Sequence, residues 1–243
     1  TAKLYTDCGL LTCSRMIGED ATAVFNMLSG YSEPLAWNKL AVAPLWLRNR
    51  FLSLIRREKA HAEAGKPGRI VAKMNSLCDK EIIAALYEAS TAGVKIDLVV
   101  RGICCLKVGI PGVSENISVR SIVGNFLEHS RIFYFYNNGE ENVYMGSADW
   151  MPRNLDKRVE ILFPVENAAL KEQVIHILDV ELADNVKARI LQPDGSYERV
   201  DKRGKVLINS QETFCEEAEQ QEKGEESEAH PRVFIPMESL DGM

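Results

Sequence analysis

The chain has 243 residues, of which 46% are hydrophobic and 26% are charged, and its mean hydropathy is −0.15. No apolar run approaches the roughly 18 to 20 residues that a membrane-spanning helix needs, so the sequence excludes such a helix and predicts a cytoplasmic globular protein. The formal net charge is −6, but residues 211–229, with eight glutamates and one lysine, carry −7, and residues 230–243 carry −1, which leaves residues 1–210 with +2.

Two helices are predicted in the first 64 residues, after an extended start. Asp20 has the side chain of a helix N-cap, and the amphipathic segment that follows it ends at Gly30. Pro44 is predicted to open a longer helix that runs to about Ala64. The glycine- and proline-containing sequence at 65–68 ends that helix.

A β-α-β unit is predicted next. Two apolar strands, 69–74 and 95–100, flank a helix that begins at Asp79 and ends at Gly93. The strands of such a unit are parallel, and ligands gather at the carboxyl ends of parallel strands. Arg101 follows the second strand directly, so its position as well as its charge makes it a candidate site residue.

The stretch 119–164 holds most of the side chains that could carry chemistry. A strand predicted at 117–123 leads into this stretch, followed by a helical turn at 124–128 and by strands at 132–136 and 142–145, which the turn Asn137-Asn138-Gly139 joins. His129 and Arg131 precede the second of these strands. A histidine can carry a proton or a phosphoryl group near neutral pH, and arginine forks match phosphate oxygens. The stretch therefore predicts the handling of phosphate.

After the last of those strands come Gly146-Ser147-Ala148-Asp149, a loop with Arg153 and Arg158, and a β-rich run that includes Glu160. Two interpretations of Glu160 stay open: a solvated strand residue, or a buried acid that orients His129 or holds a metal.

The C-terminal third is predicted to contain a helix at 167–182, in which His176 is structural, and a β-hairpin at 186–200 that turns at 193–195. From about Gln211 the chain is polar and acidic and is predicted to be disordered. Six cysteines are scattered without Cys-x-x-Cys spacing. They predict free thiols in a reduced cytoplasm and no metal bound through sulfur.

The order His-x-basic, β-structure, Gly-Ser-x-Asp resembles the phospholipase D superfamily. Strict members of that superfamily carry lysine and aspartate where this chain has Arg131 and Tyr136. The longer string LEHSRI…YMGSADWMPRNLDKRVE is more similar to the C-terminal half of the ATP-dependent bacterial polyphosphate kinases. Further similar segments are LYTDCGLLT at 4–12, MNSLCDKEIIAALYEASTAGVKIDLVVRGICCL at 74–106, PGVSENISVRSIVGNFLEH at 111–129 and VKARIL at 186–191.

The resemblance implies an α/β fold with a phospholipase-D-like mixed β-sheet flanked by helices. Residues 1–15 would be the tail end of a preceding phospholipase-D-like domain, and residues 16–210 the second, catalytic domain. Residues 211–243 would be an acidic, disordered tail. Because the chain begins at Thr1, inside what the family treats as continuous sequence, we expect it to be a fragment.

The resemblance also implies reversible transfer of the terminal phosphoryl group of ATP to inorganic polyphosphate through a phosphohistidine. The nucleophilic histidine would lie outside this chain, before the position of Tyr5. His129 matches the family's second histidine, which assists the transfer from the opposite side. Arg101 matches a phosphate-contacting arginine, Tyr5 a nucleotide-contacting tyrosine, and Glu160 an acidic residue beside the site.

Three more arginines, Arg131, Arg153 and Arg158, are candidates for phosphate contact, with ion pairing as the alternative. Mg²⁺ is expected to accompany ATP, and no metal site made by the protein is predicted. The expected partners are ATP or ADP and inorganic polyphosphate, with a homo-oligomer and peripheral membrane association in the whole enzyme. Nucleic acid is not an expected partner.

Two other hypotheses stay open. One is a phospholipase-D-like phosphodiesterase or nuclease that uses one motif per subunit of a dimer, against which Arg131 and Tyr136 count. The other is a binding or assembly module that anchors polyphosphate or a partner subunit and performs no chemistry of its own.

Overall fold

The computed structural model describes residues 4–30, 32 and 34–228. The strands are β1 (Tyr5–Thr6), β2 (Ala41–Val42), β3 (Arg69–Met74), β4 (Lys95–Val100), β5 (Ile117–Ser121), β6 (Leu127–Glu128), β7 (Arg131–Phe135), β8 (Asn142–Gly146), β9 (Ile161–Pro164), β10 (Arg189–Leu191) and β11 (Tyr197–Arg199). The helices are α1 (Arg15–Leu28), α2 (Leu47–Glu63), α3 (Lys80–Thr91), α4 (Ala168–Ala183) and α5 (Ser210–Glu228). None of the helices in this part of the chain is both long and apolar enough to cross a membrane.

The described strands form one mixed sheet in the order β11-β10-β5-β4-β3-β7-β8-β9-β2 and a separate pair, β1-β6. The predicted β-α-β unit is confirmed, because β3 and β4 pair in parallel with α3 between them. β7 pairs antiparallel with β3, with Lys73 opposite Ile132. This reversal brings the start of β7 to the same edge of the sheet as the carboxyl ends of β3 and β4.

Helices cover both faces of the sheet, as the predicted α/β class requires. The alternation of side chains along a strand sends Ala72 and Met74 to the core under α2 and α3, and Val71 to the core under α4. Phe51 and Trp150 both pack against Phe133 in the larger core, with ring centroids 4.7 and 5.2 Å away from it. The sheet is therefore buried on both sides, and functional groups have to gather at its edge.

The first helix differs from its prediction. It begins at Arg15 rather than Asp20, and Asp20 is a buried residue inside it. The Asp20 carboxylate accepts hydrogen bonds from the backbone of residues 38–40 over 2.7–2.9 Å. Burial raises the pKa of this carboxyl, but those hydrogen bonds outweigh burial and hold the pKa below its ordinary value. Asp20 thus ties α1 to the following segment instead of capping the helix.

Two further boundaries are corrected. The long helix begins at Leu47 rather than at Pro44. The predicted helical turn at 124–128 is wrong, because Leu127 and Glu128 form β6 and pair in parallel with Tyr5 and Thr6 of β1. That pairing joins segments about 120 residues apart, which no local pattern could indicate.

The prediction of disorder from Gln211 is wrong for the part of the tail that the structure describes, because α5 occupies Ser210–Glu228. Asp184 accepts hydrogen bonds from the backbone and the hydroxyl of Ser210 over 2.8 and 2.9 Å. The side chain of Gln211 exchanges two hydrogen bonds with the backbone of Phe126. Once anchored there, a segment rich in glutamate and glutamine has high helix propensity. Residues 229–243 lie outside the described residues.

Candidate active site

The candidate site lies where the start of β7, the end of β8 and the start of β9 meet the carboxyl ends of β3 and β4. A cavity of about 230 Å³ opens there, lined by Asp7, His129, Arg131 and Ser147 among others. The structure thus brings together residues that are far apart in the sequence, because β7 runs against β3 and starts at this edge.

His129 is held from three sides and still reaches solvent, with 40% of its side chain exposed. Its backbone N–H donates to the carbonyl of Thr6 over 2.8 Å. Its Nδ1 lies 3.2 Å from Asp7 Oδ2 and 2.8 Å from Arg131 Nη1. The half-exposed ring of Tyr5 stands edge-on to the imidazole with the centroids 5.3 Å apart. In such a histidine one ring nitrogen can hydrogen-bond to the protein while the other exchanges a proton with a ligand.

Arg131 is an internal residue, and its contacts orient His129. Its Nη1 also donates to the carbonyl of His129 over 2.6 Å, and its Nε donates to Asp149 Oδ1 over 3.1 Å. Asp149 Oδ1 accepts a second bond, of 2.8 Å, from the backbone N–H of Asn75. The ion pair that was the alternative to a phosphate contact is therefore present at Arg131.

Arg101 stands at the end of β4 with its guanidinium fixed. Its Nε and Nη2 both donate to Asn75 Oδ1, over 3.0 and 2.6 Å, and its Nη1 donates to the carbonyl of Glu128 over 3.1 Å. The side chain is partly exposed. A preorganised guanidinium that is bound to the residue preceding His129 is suited to a phosphate oxygen.

Glu160 is buried, but its hydrogen bonds are made away from His129. Its two carboxylate oxygens accept hydrogen bonds from the hydroxyl of Ser147 and the amide of Asn154. The hydroxyl of Ser147 in turn accepts from the backbone N–H of Ile161 over 3.1 Å. The carboxylate beside the His129 ring is Asp7, so the prediction that Glu160 orients the histidine is corrected. Glu160 instead fixes the turn that follows β8.

The remaining predicted arginines, Arg153 and Arg158, are exposed, and neither lines the cavity beside His129. Their phosphate contacts stay a prediction. Nor does the described part of the chain contain a group of three or more His, Cys, Asp or Glu side chains able to hold a metal ion.

Comparison with known proteins identifies the family. The sequence profile of polyphosphate kinase C-terminal domain 2 matches residues 40–211, and that of polyphosphate kinase C-terminal domain 1 matches residues 1–34. The chain belongs to the polyphosphate kinase family.

Relatives confirm this over most of the chain. A polyphosphate kinase of Synechocystis sp. is 59% identical over 197 residues, which are 81% of this chain and 27% of that protein. One of Lactiplantibacillus plantarum is 50% identical and covers 98% of this chain and 34% of its own length. The crystal structure of polyphosphate kinase from Porphyromonas gingivalis superposes with a TM-score of 0.83 at 38% identity, over 88% of this chain and 33% of that one. The chain thus spans about a third of the length of these polyphosphate kinases.

Sequence reasoning missed two residues of the site. Asp7 follows Tyr5 by two positions in an extended segment, so the two side chains fall on the same side. Asn75 follows the last residue of β3, just as Arg101 follows β4. Arg101 was selected because it follows the carboxyl end of a parallel strand, and the same rule could have selected Asn75. Asp7 could be found only from its spacing to Tyr5, once Tyr5 itself was taken as a site residue.

Proposed function

We propose that this chain is the C-terminal catalytic part of a polyphosphate kinase that reversibly transfers the terminal phosphoryl group of ATP to inorganic polyphosphate. The observation that carries the proposal is the His129 ring. It is half-exposed in a cavity at the sheet edge, with Nδ1 in contact with Asp7 and Arg131, next to the fixed guanidinium of Arg101. Membership of the polyphosphate kinase family supports the substrates.

The reaction proceeds in two steps through a phosphohistidine on a histidine outside these 243 residues. In the first step the bond between the γ-phosphorus and the ADP oxygen breaks, and a phosphorus–nitrogen bond forms. In the second step a terminal polyphosphate oxygen attacks the phosphorus, and the phosphorus–nitrogen bond breaks. His129, on the opposite side, gives a proton to the leaving oxygen or takes one from the entering oxygen.

Phosphoryl transfer is mostly a matter of positioning and charge neutralisation. Arg101 supplies positive charge at a fixed place, because Asn75 and the carbonyl of Glu128 occupy its inward-facing donors. Tyr5 presents an aromatic surface beside the histidine, 49% of it exposed, which suits contact with a nucleotide base.

Mg²⁺ enters this reaction as the ATP complex. Asp7 offers an exposed carboxylate at the site. The described residues contain no group of three or more His, Cys, Asp or Glu side chains that could hold Mg²⁺. In the whole enzyme we expect a cytoplasmic homo-oligomer with peripheral membrane association. These expectations come from the family resemblance.

The test uses the full-length enzyme with labelled ATP and Mg²⁺. It should form an acid-labile phosphoprotein and a long anionic polymer. The variant His129→Ala should lower kcat by about 10²- to 10⁴-fold, the usual contribution of a positioned proton carrier. His176→Ala is the matched control, because His176 lies on α4 and contacts Glu217 instead.

Two outcomes would contradict the proposal. Unchanged activity of His129→Ala would favour the binding or assembly module. Release of alcohol from an activated phosphodiester, with no polymer made from ATP, would favour the phosphodiesterase.

A further inference from the structure

A lysine ammonium is buried on the face of the sheet that α4 covers. Lys73 is 4% exposed and lies on β3, opposite Ile132 of β7. Its strand neighbour Val71 belongs to the apolar core under α4. Burying an ammonium among such residues costs free energy unless it is paired and hydrogen-bonded. The partners of Lys73 therefore reveal what the buried charge is used for.

Lys73 contacts both chain neighbours of His129. Its Nζ donates to Ser130 Oγ over 2.9 Å and lies 3.3 Å from Glu128 Oε2. Residues 128 and 130 project to one side of the chain, and His129 between them projects to the other. Lys73 thus fixes the backbone on either side of the imidazole without touching the ring.

A second acid completes the cluster. Glu181 of α4 is fully buried, and its Oε1 lies 3.4 Å from Lys73 Nζ. Burial raises the pKa of Glu181 well above its ordinary value, whereas the pKa of Glu128 is lowered because the neighbouring Glu181, Lys73 and Gln211 outweigh its own burial. One ammonium thus faces two acids, and burial favours the neutral form of Glu181.

Glu128 also connects the cluster to the other predicted phosphate ligand. The Glu128 carboxylate forms an ion pair with Lys73 and accepts a hydrogen bond of 2.9 Å from Gln211 Nε2. The Glu128 carbonyl accepts a hydrogen bond from Nη1 of Arg101, which is the other predicted phosphate ligand. Any movement of Glu128 would therefore displace Arg101 and His129 together.

We infer that Lys73 is a positioning residue. Through Ser130, Glu128 and Glu181 it fixes the relative positions of His129 and Arg101 for phosphoryl transfer. This inference rests on the proposed function. Lys73 touches no reacting atom, so it acts through geometry. A misplacement of about 1 Å can cost on the order of 10²-fold in rate.

The test is Lys73→Met in the full-length enzyme, which keeps the length of the side chain and removes the ammonium. We expect kcat for polymer synthesis to fall about 10- to 100-fold, with the KM for ATP within about threefold of wild type. Lys95→Met is the matched control, because Lys95 is 69% exposed at the opposite end of β4. A kcat for Lys73→Met within twofold of wild type would overturn the inference.

Two further variants decide the matter if Lys73→Met does not fold. Ser130→Ala removes one contact and should lower kcat several-fold without a comparable change in KM. Glu181→Gln keeps a neutral hydrogen-bonding group and should be at least fivefold more active than Glu181→Leu. Equal activity of these last two, or wild-type activity of Ser130→Ala, would refute a positioning role.

The wild-type enzyme in the same assay separates the two proposals. If it makes polymer and the cluster variants do too, the inference fails and the proposed function stands. If the wild-type enzyme makes no polymer, the proposed function fails and the inference fails with it.

Discussion

Two contacts at His129 use the same ring nitrogen and cannot both be hydrogen bonds in one protonation state. Arg131 Nη1 is a permanent donor, so its 2.8 Å contact requires a lone pair on Nδ1. Asp7 is an acceptor, so its 3.2 Å contact requires a proton there. When Nδ1 is unprotonated, Nε2 of the neutral ring carries the proton and can donate it. When Nδ1–H donates to Asp7 in the neutral ring, Nε2 can accept one.

This alternation makes Asp7→Asn informative. The variant keeps an oxygen near Nδ1 but removes the charge that stabilises a protonated ring. We expect kcat of the full-length enzyme to fall about tenfold, which is less than the roughly 10²- to 10⁴-fold loss expected when the proton carrier itself is removed, and we expect the KM for ATP to stay near wild type because Tyr5 still supports nucleotide binding. Steady-state kinetics with ATP would measure both kcat and the KM for ATP.

Asp179→Asn is the control, since Asp179 is an exposed residue of α4. Wild-type kcat in Asp7→Asn would mean that Arg131 alone sets the tautomer.

At the residue scale the sequence identified residues that the structure brings together, but not every contact between them. His129 and Arg101 were identified from residue type, position and family resemblance, and the structure places Glu128 as the link between them. For Glu160 the sequence left a solvated residue and a buried acid open; it is buried, and its partners are Ser147 and Asn154. Which acid faces a histidine depends on the pairing of distant segments, and that pairing is absent from a local pattern.

Among the elements, β8 and β9 approach each other closely at Gly146. A Cβ built on Gly146 would lie 2.5 Å from the backbone carbonyl oxygen of Ile161. The opposing atom is backbone and cannot rotate away. Glycine is therefore required here by the closeness of two strands beside the site.

We predict that Gly146→Ala destabilises the fold by about 1–3 kcal/mol, the usual cost of overpacking, and lowers the urea midpoint of the purified chain. Gly18→Ala is the control, because Gly18 lies within α1 and a Cβ added there would meet nothing within 4 Å. That change should be neutral or stabilising by up to about 1 kcal/mol. Equal midpoints for the two variants would contradict the steric argument.

Elements with strong local signals were predicted well. The β3-α3-β4 unit was found from its apolar strands and its capping residue, and Asp79 does accept from the backbone N–H groups of Glu81 and Ile82. β6 and α5 were missed for a physical reason. Each depends on contacts with distant segments, β6 on β1 and α5 on Asp184 and Phe126, which outweighed the local turn and charge signals.

For the molecule as a whole, the acids with shifted pKa values make the free energy of unfolding depend on pH in opposite directions. Asp20 and Glu128 have lowered pKa values in the fold. Their contribution is present above the pKa of the unfolded chain and is lost as the pH falls through the folded pKa. Glu181 has a raised pKa and stays protonated when the unfolded chain would release the proton. Its burial therefore costs stability as the pH rises.

We predict that Glu181→Gln removes this cost. The cost begins above about pH 4.3, the ordinary pKa of glutamate. From there the free energy of unfolding of the wild-type chain should fall relative to that of Glu181→Gln by up to roughly 1 kcal/mol per pH unit. The fall should end at the pKa that Glu181 has in the folded chain. Urea unfolding of both proteins at pH 5, 6, 7 and 8 would measure the difference. A difference that stays constant or shrinks with pH would show that Glu181 is ionised in the fold.

The hairpin between β7 and β8 sits at the opposite end of β7 from His129. Asn137 and Asn138 adopt positive φ angles of 47° and 55°, and Glu58 of α2 holds the backbone N–H of Asn137 over 2.9 Å. Five strand residues at about 3.4 Å each separate this turn from the start of β7. A biotin-acceptor peptide inserted after Asn138 would therefore let the protein be immobilised for single-molecule work with the cavity beside His129 facing away from the support.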